Sequence, residues 1–215
     1  MSESLPKIGL LGGGQLGLML LQAAIDLDFE ISCLDPDAEA PCHFLAKHFV
    51  QGSFQDFNTV YSFGQSHDVI SIEIEHVNVD ALERLEKEGK LVYPQPHILK
   101  MIQDKRLQKQ FFKKHGFPTA DFILIDSAEE IRNHISFLPA FNKLGKGGYD
   151  GRGVQLIQRE SDISLGFKEP GLLEKAVHFS KELAVIVARN TKGEISAFPV
   201  VEMVFHPVHN LVEFL

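Results

Sequence analysis

The chain has 215 residues, 44% hydrophobic and 23% charged, a globular balance that excludes a long disordered, collagen-like or fibrous protein. A formal charge of −8 argues against a general nucleic-acid binder, so any anionic ligand must be held by local positive charge. Two cysteines, Cys33 and Cys42, cannot build a disulfide framework or a four-cysteine zinc site, and they suit a reducing cytosol. The N-terminus lacks the basic-then-apolar order of a signal peptide. The segment from Ile8 to Ile25 carries Gln15, Gln22 and five glycines, too polar to cross a membrane unaided. These features point to a cytoplasmic protein.

The first hundred residues alternate short apolar runs with helical patterns, which predicts a βαβ sheet. Lys7 to Leu11 reads as a buried strand, Gln15 to Leu27 as a helix, and Phe29 to Leu34 as a second strand stopped near Pro36. Phe49-Val50 is a weak third strand, Asp68 to Glu75 a stronger fourth, Val79 to Glu88 a charged helix, and Leu91 to Tyr93 a closing strand. Lys100 to Gly116 is basic and helical, ended by Gly116-Phe117-Pro118. Beyond it the pattern turns to α+β. Phe122 to Ile125 is a strand, and Ser127 with Glu130 has the spacing of a capping box. Phe141 to Leu144 and Val154 to Gln158 are strands around a glycine-rich loop. Glu182 to Arg189 and Glu194 to Val204 read as a hairpin turning at residues 190–193.

Three motifs carry chemistry. Gly12-Gly13-Gly14-Gln15-Leu16-Gly17 matches G-x-G-x-x-G between a strand and a helix, with Asp35 about twenty residues on. Alone this pattern suits a dinucleotide enzyme, or glycines that merely let helix and strand pack closely. Glu73 and Glu75, two apart at a strand end, are expected to share one face where open sheets bind ligands. Gly147-Gly148-Tyr149-Asp150-Gly151-Arg152-Gly153, preceded by Lys143 and Lys146, is the most informative stretch. Its backbone N–H groups can wrap a polyphosphate while its cations supply the charge the acidic chain otherwise lacks. No G-K-[ST] follows, so it is not a Walker loop.

Together with Asp35-Pro36-Asp37-Ala38, Glu73 to Val77, Asp104 to Gln110, Pro118-Thr119-Ala120 and Phe179 to Arg189, these motifs resemble the 5-(carboxyamino)imidazole ribonucleotide synthetase family of ATP-grasp enzymes. The resemblance covers nearly the whole chain in the family's order. It implies an α/β fold: a Rossmann-like pre-ATP-grasp domain over 1–98, then an incomplete ATP-grasp module over 99–215 with an α+β lid over about 120–190. It implies ATP-dependent carboxylation of aminoimidazole ribonucleotide by bicarbonate, through carboxyphosphate, in purine biosynthesis. Arg106 and Lys143 match positions that contact ATP phosphates, and Gly148, Tyr149, Asp150, Gly151, Arg152, Gly153 and Val154 match the lid loop. Glu174, Lys175, Ala176 and Val177 match the adenine-reading segment, and Glu182 the ribose-binding carboxylate. Tyr149, Asp150 and Arg152 match catalytic loop residues, and Gly14, Gln15, Leu16, Glu73 and Glu75 match substrate-side positions. A nucleotide-side histidine of the family falls on Phe205, with His206 one residue later. His206 and His209 lie on opposite faces of a strand and do not read as a metal pair. The resemblance further implies Mg²⁺, with ligands past Leu215 and none within residues 1–215, and a homodimer. Another ATP-grasp carboxylate–amine ligase and an NAD(P)-dependent oxidoreductase are the alternative readings.

Overall fold

Strand β1 (Ile8–Leu11) is apolar apart from one glycine, and its last three residues are buried, as a strand covered on both faces requires. In the computed structural model, which describes residues 5–148, 152–206 and 212–214, it lies at the centre of a five-stranded sheet. The order is β3-β2-β1-β4-β5, with β2 at Ile31–Asp35, β3 at Phe49–Gln51, β4 at Val69–Ile72 and β5 at Leu91–Tyr93. Every pairing is parallel, and Ile8 stands between Ile31 and Val69. The chain winds outward from β1 through β2 to β3, then returns to β4 on the other flank. The reversal therefore falls between the carboxyl ends of β1 and β4, which brings Gly12 beside Glu73.

Helix α1 (Gln15–Ile25) covers one face of the sheet, where Leu10, Leu21, Ala24, Ile31, Cys33 and Cys42 form a core. Helices α2 (Phe57–Gln65) and α3 (Val79–Lys87) cover the other, around Leu34, Val60, Ile70, Leu82 and Leu85. Leu82 and Leu85 are fully buried, so truncating either to alanine costs about 2–5 kcal/mol. Asp56 starts α2 by accepting from Thr59 N at 2.8 Å, and Asn78 starts α3 by accepting from Ala81 N at 2.9 Å. Strand β4 ends at Ile72, short of the expected Glu75, so strand alternation does not orient Glu73 and Glu75. The basic helical region is two helices, α4 (Pro96–Ile102) and α5 (Lys105–Lys114), divided where the Asp104 carboxylate accepts from Arg106 N.

A second sheet, antiparallel in the order β6-β9-β7-β8, comprises β6 (Phe122–Ile125), β7 (Ala140–Leu144), β8 (Val154–Ile157) and β9 (Gly171–Lys175). Its core gathers Ile125, Ile131, Ile157 and Leu173 under a 3₁₀ segment at Ala128–Phe137. The expected capping box there is not formed. Ser127 makes no side-chain cap bond, and Glu130 instead accepts from Asp126 N at 3.2 Å, because the tighter 3₁₀ winding moves the acceptor.

Residues 176–215 form a compact unit separate from the first 175. The expected hairpin is present as two short ladders. Strand β11 (Val187–Arg189) pairs with β12 (Ile195–Ala197), and β10 (Glu182–Ala184) with β13 (Val201–Phe205). The break falls at Pro199, which has no N–H to donate to a ladder. At the turn, Asn190 Oδ1 accepts from the N–H groups of Lys192 and Glu194, and Gly193 takes φ 83°. Strand β14 (Val212–Phe214) adds to β13 with a register shift at Val204/Phe205 that leaves Glu213 as the extra residue.

Candidate functional site

The antiparallel register of β7 and β9 sets Phe141 opposite Glu174 and Lys143 opposite Leu172. The Glu174 carboxylate is thereby placed to bind Lys143 Nζ through Oε1 at 2.6 Å. Its Oε2 meets Lys109 Nζ, from α5, at 2.5 Å. Oε2 is sealed from solvent, and its partner is the Lys109 ammonium. Lys109 also donates to Thr119 Oγ1. The Glu174 side chain is 13% exposed, and burial by itself would raise its pKa. The hydrogen bonds and charges of Lys109 and Lys143 outweigh that effect and hold the carboxyl below the ordinary glutamate value. Two ammonium groups are thus held at one carboxylate, a local positive charge on an acidic protein.

Arg106 stands at the start of α5, in a bidentate clasp with Asp104: Nε to Oδ1 is 2.9 Å and Nη2 to Oδ2 is 2.6 Å. Asp104 is buried, and these hydrogen bonds from Arg106 hold its carboxyl below the usual range despite burial. The clasp needs glycine at 145, since a Cβ there would lie 2.6 Å from Arg106 Nε and 2.9 Å from the Pro170 carbonyl oxygen. The same helix start is joined to the glycine-rich loop. Lys105 N donates to Gly145 O at 2.7 Å, Lys105 Nζ to Gly147 O at 3.0 Å, and the backbones of Asp104 and Lys146 pair in an isolated antiparallel β-bridge.

The arms of the loop meet at Gly148 and Gly153, both with φ 77°. A Cβ on Gly148 would fall 2.4 Å from Arg152 O, so the crossing admits only glycine. Leu144 N donates to Gly153 O at 2.9 Å, and Val154 then opens β8 opposite Lys143. Tyr149, Asp150 and Gly151 lie outside the described residues, as does His209. Beside the loop base is a cavity of about 460 Å³ whose lining includes His76, Lys100, Gln103, Lys146 and Gly147.

At the switch point of the parallel sheet, Gly13 N donates to Asp35 Oδ2 at 2.7 Å and Asp37 N to Asp35 Oδ1 at 2.8 Å. Both oxygens of the residue expected to hold a dinucleotide ribose are engaged by the protein's own backbone. Glu73 lies against the turn: a Cβ on Gly14 or on Gly12 would come within 2.7 Å of its carboxylate oxygens. Gln15 and Leu16 are exposed on the first turn of α1. Glu75 turns aside to His76 Nδ1 at 3.3 Å, while its carbonyl accepts from Gln103 Nε2 at 2.7 Å.

Lys175 donates to the carbonyls of Phe137 and Leu138 at 3.0 and 3.2 Å, so its ammonium is a structural tie. Its N–H is likewise engaged, donating to Asp121 O at 2.8 Å. In the second unit, Ala176 and Val177 follow β9, Glu182 opens β10 half-buried, and His206 follows β13 next to the register shift. Sequence reasoning missed Lys109, Asp104, Gln103 and Gly145. Lys109 is three residues after Arg106 on one helical face, and Asp104 is an N-cap residue type; both signals were in the sequence.

Comparison with known proteins finds similarity over most of the chain. The Ribonucleotide synthetase preATP-grasp domain matches residues 5–103, and the ATP-grasp domain matches residues 110–208. The chain is 33% identical over 202 residues to N5-carboxyaminoimidazole ribonucleotide synthase of Staphylococcus aureus (strain COL), covering 91% of this chain and 54% of that protein. The N5-carboxyaminoimidazole ribonucleotide synthetase of Thermotoga maritima superposes with TM-score 0.84 at 38% identity, over 93% of this chain and 54% of that one. The Aspergillus clavatus N5-carboxyaminoimidazole synthase in complex with ADP and 5-aminoimidazole ribonucleotide gives TM-score 0.83 at 31% identity, over 94% and 55%. The chain spans about half the length of these relatives. The chain thus carries a preATP-grasp domain followed by an ATP-grasp domain, and over these residues it is similar to the N5-carboxyaminoimidazole ribonucleotide synthases.

Proposed function

We propose that this chain carries the preATP-grasp and nucleotide-binding parts of an enzyme that carboxylates 5-aminoimidazole ribonucleotide with bicarbonate at the expense of ATP. The observation that carries the reading is the Lys143–Glu174–Lys109 cluster at the base of the glycine loop. Arriving phosphates take over from Glu174 as partners of the two lysines, which then neutralise charge on the transferring phosphoryl group. Bicarbonate oxygen attacks the γ-phosphorus, giving carboxyphosphate and ADP. The exocyclic amine then attacks the carboxyl carbon, expels phosphate and loses a proton, giving 5-(carboxyamino)imidazole ribonucleotide.

Loop residues 148–154 close over the labile intermediate and exclude water, with Tyr149, Asp150 and Arg152 at the reacting groups. Glu182 takes the ATP ribose, residues 174–177 the adenine, and His206 the nucleotide side. Gly14, Gln15, Leu16, Glu73 and Glu75 face the imidazole nucleotide, Glu73 accepting N–H groups. The magnesium that ATP-grasp chemistry implies finds no ligand set of three His, Cys, Asp or Glu among the described residues. Among those residues, too, no helix is long and apolar enough to cross a membrane. A cytoplasmic homodimer acting on small molecules, with no nucleic-acid partner, completes the proposal.

The test is ADP release from ATP and bicarbonate, with and without 5-aminoimidazole ribonucleotide, together with capture of ¹³C-bicarbonate in the nucleotide product. Release that rises with the nucleotide and labels the product supports the reading. Equal release with an unrelated amine acceptor favours a different ATP-grasp ligase and removes it.

A further inference from the structure

At the amino ends of the parallel strands, opposite the edge that holds Glu73, lies a cavity of about 910 Å³. This is within the range of small-molecule sites. Ser32, which stands beside Gly9 across β1 and β2, lines it under α2. The helix packs tightly on Gly9, where a Cβ would stand 2.8 Å from the Phe63 ring and 3.0 Å from the His67 ring. Ile8, Val50 and Phe63 supply apolar wall.

Two buried polar side chains line it, Ser32 and His67, each 6% exposed. His67 Nδ1 lies 2.8 Å from Phe63 O, and a carbonyl only accepts, so Nδ1 carries the proton and Nε2 is a bare acceptor. Neither His67 Nε2 nor Ser32 Oγ has a hydrogen-bond partner among the described residues, yet neither is sealed from solvent as Glu174 Oε2 is. Two polar side-chain atoms without a partner among the described residues, open on one cavity, are available to a ligand. At the rim Lys47 is paired with Glu30 at 2.7 Å, and Lys7 is balanced by Asp28, so the opening selects no net charge.

We propose that this cavity binds a neutral planar heteroaromatic that donates an N–H to His67 Nε2 and hydrogen-bonds the Ser32 hydroxyl, with its ring against Phe63. The site is separate from the ATP and imidazole-nucleotide residues and stands whether or not that assignment holds.

The experiment titrates the ¹⁵N-labelled 215-residue protein with benzimidazole, and with 1-methylbenzimidazole, which lacks the N–H. Saturable shifts at Ser32, Phe63 and His67 are expected with a Kd on the order of 1 mM, the range for so small a fragment. The methylated probe and the His67→Phe variant should bind about tenfold more weakly. His67→Gln, which keeps an acceptor, should stay within about threefold, and Ser32→Leu, which removes the hydroxyl and sets a bulky apolar side chain in its place, should abolish binding. Should His67→Phe fail to fold, the two probes and Ser32→Leu still decide. Equal affinity for both probes, shifts confined to β7 and β9 that vanish with ADP, or no saturation would each overturn the proposal.

Discussion

Glu174→Gln removes one negative charge and almost no volume from between Lys109 and Lys143. Each lysine then keeps its position but loses a carboxylate at 2.5 or 2.6 Å, and the side chains involved are 13–25% exposed. Leaving a buried charge without its partner costs about 3–5 kcal/mol, and the water that reaches Lys143 reduces this to about 2–4 kcal/mol here. For a chain of this size that corresponds to a fall of roughly 5–12 °C in melting temperature. Because the folded carboxyl titrates below its unfolded value, the contribution is complete above the unfolded glutamate value of about 4.3 and fades as pH falls through the folded one. The gap between wild type and variant should therefore be full at pH 7 and shrink below about pH 4. ATP should narrow the gap at pH 7, since its phosphates replace the missing anion. Thermal melts of both proteins at several pH values, with and without ATP, read all of this. A melting change under about 2 °C at pH 7, or a gap that widens in acid, would refute the reasoning.

Gly145→Ala should place a methyl against the Arg106 side chain and the Pro170 carbonyl, lowering unfolding free energy by about 1–3 kcal/mol in urea melts. Cys33 and Cys42 are fully buried, and burial pushes both thiols up. Neither should react with a chromogenic disulfide reagent at pH 8 until guanidinium unfolds the chain, whereupon both should; rapid native labelling would contradict this. Lys143→Ala and Arg152→Ala should each abolish carboxylation in the complete enzyme while far-UV circular dichroism is unchanged, and near-normal turnover in either would remove that assignment.

The parts read correctly from sequence were those governed by local rules. The apolar runs at 8–11, 31–34 and 91–93, the glycine turn and the residue 190–193 hairpin turn each have a backbone requirement that only certain residues meet. Helix α2 escaped because Phe57 and Tyr61 blur its polar face, although Asp56 and Thr59 mark its start. The basic region read as one helix because composition does not show where Asp104 turns back to cap. The cluster at Glu174 depends on antiparallel register between strands some thirty residues apart, which a single sequence does not encode locally. The position of Glu73 was legible in outline from strand order, but its contact with Gly12 and Gly14 follows from β4 ending at Ile72.

That contact inverts the electrostatics of the glycine turn. The amino end of a helix is a positive pole that ordinarily attracts phosphate. Here Asp35 has taken the Gly13 N–H and Glu73 presses against Gly12 and Gly14, so two carboxylates occupy the pole. A pyrophosphate entering the turn meets like charge, whereas an amine or a ring N–H meets an acceptor. The same glycine pattern that elsewhere selects for anions here selects against them, and two carboxylates, one on the strand beside it and one on the loop beyond the next, make the difference.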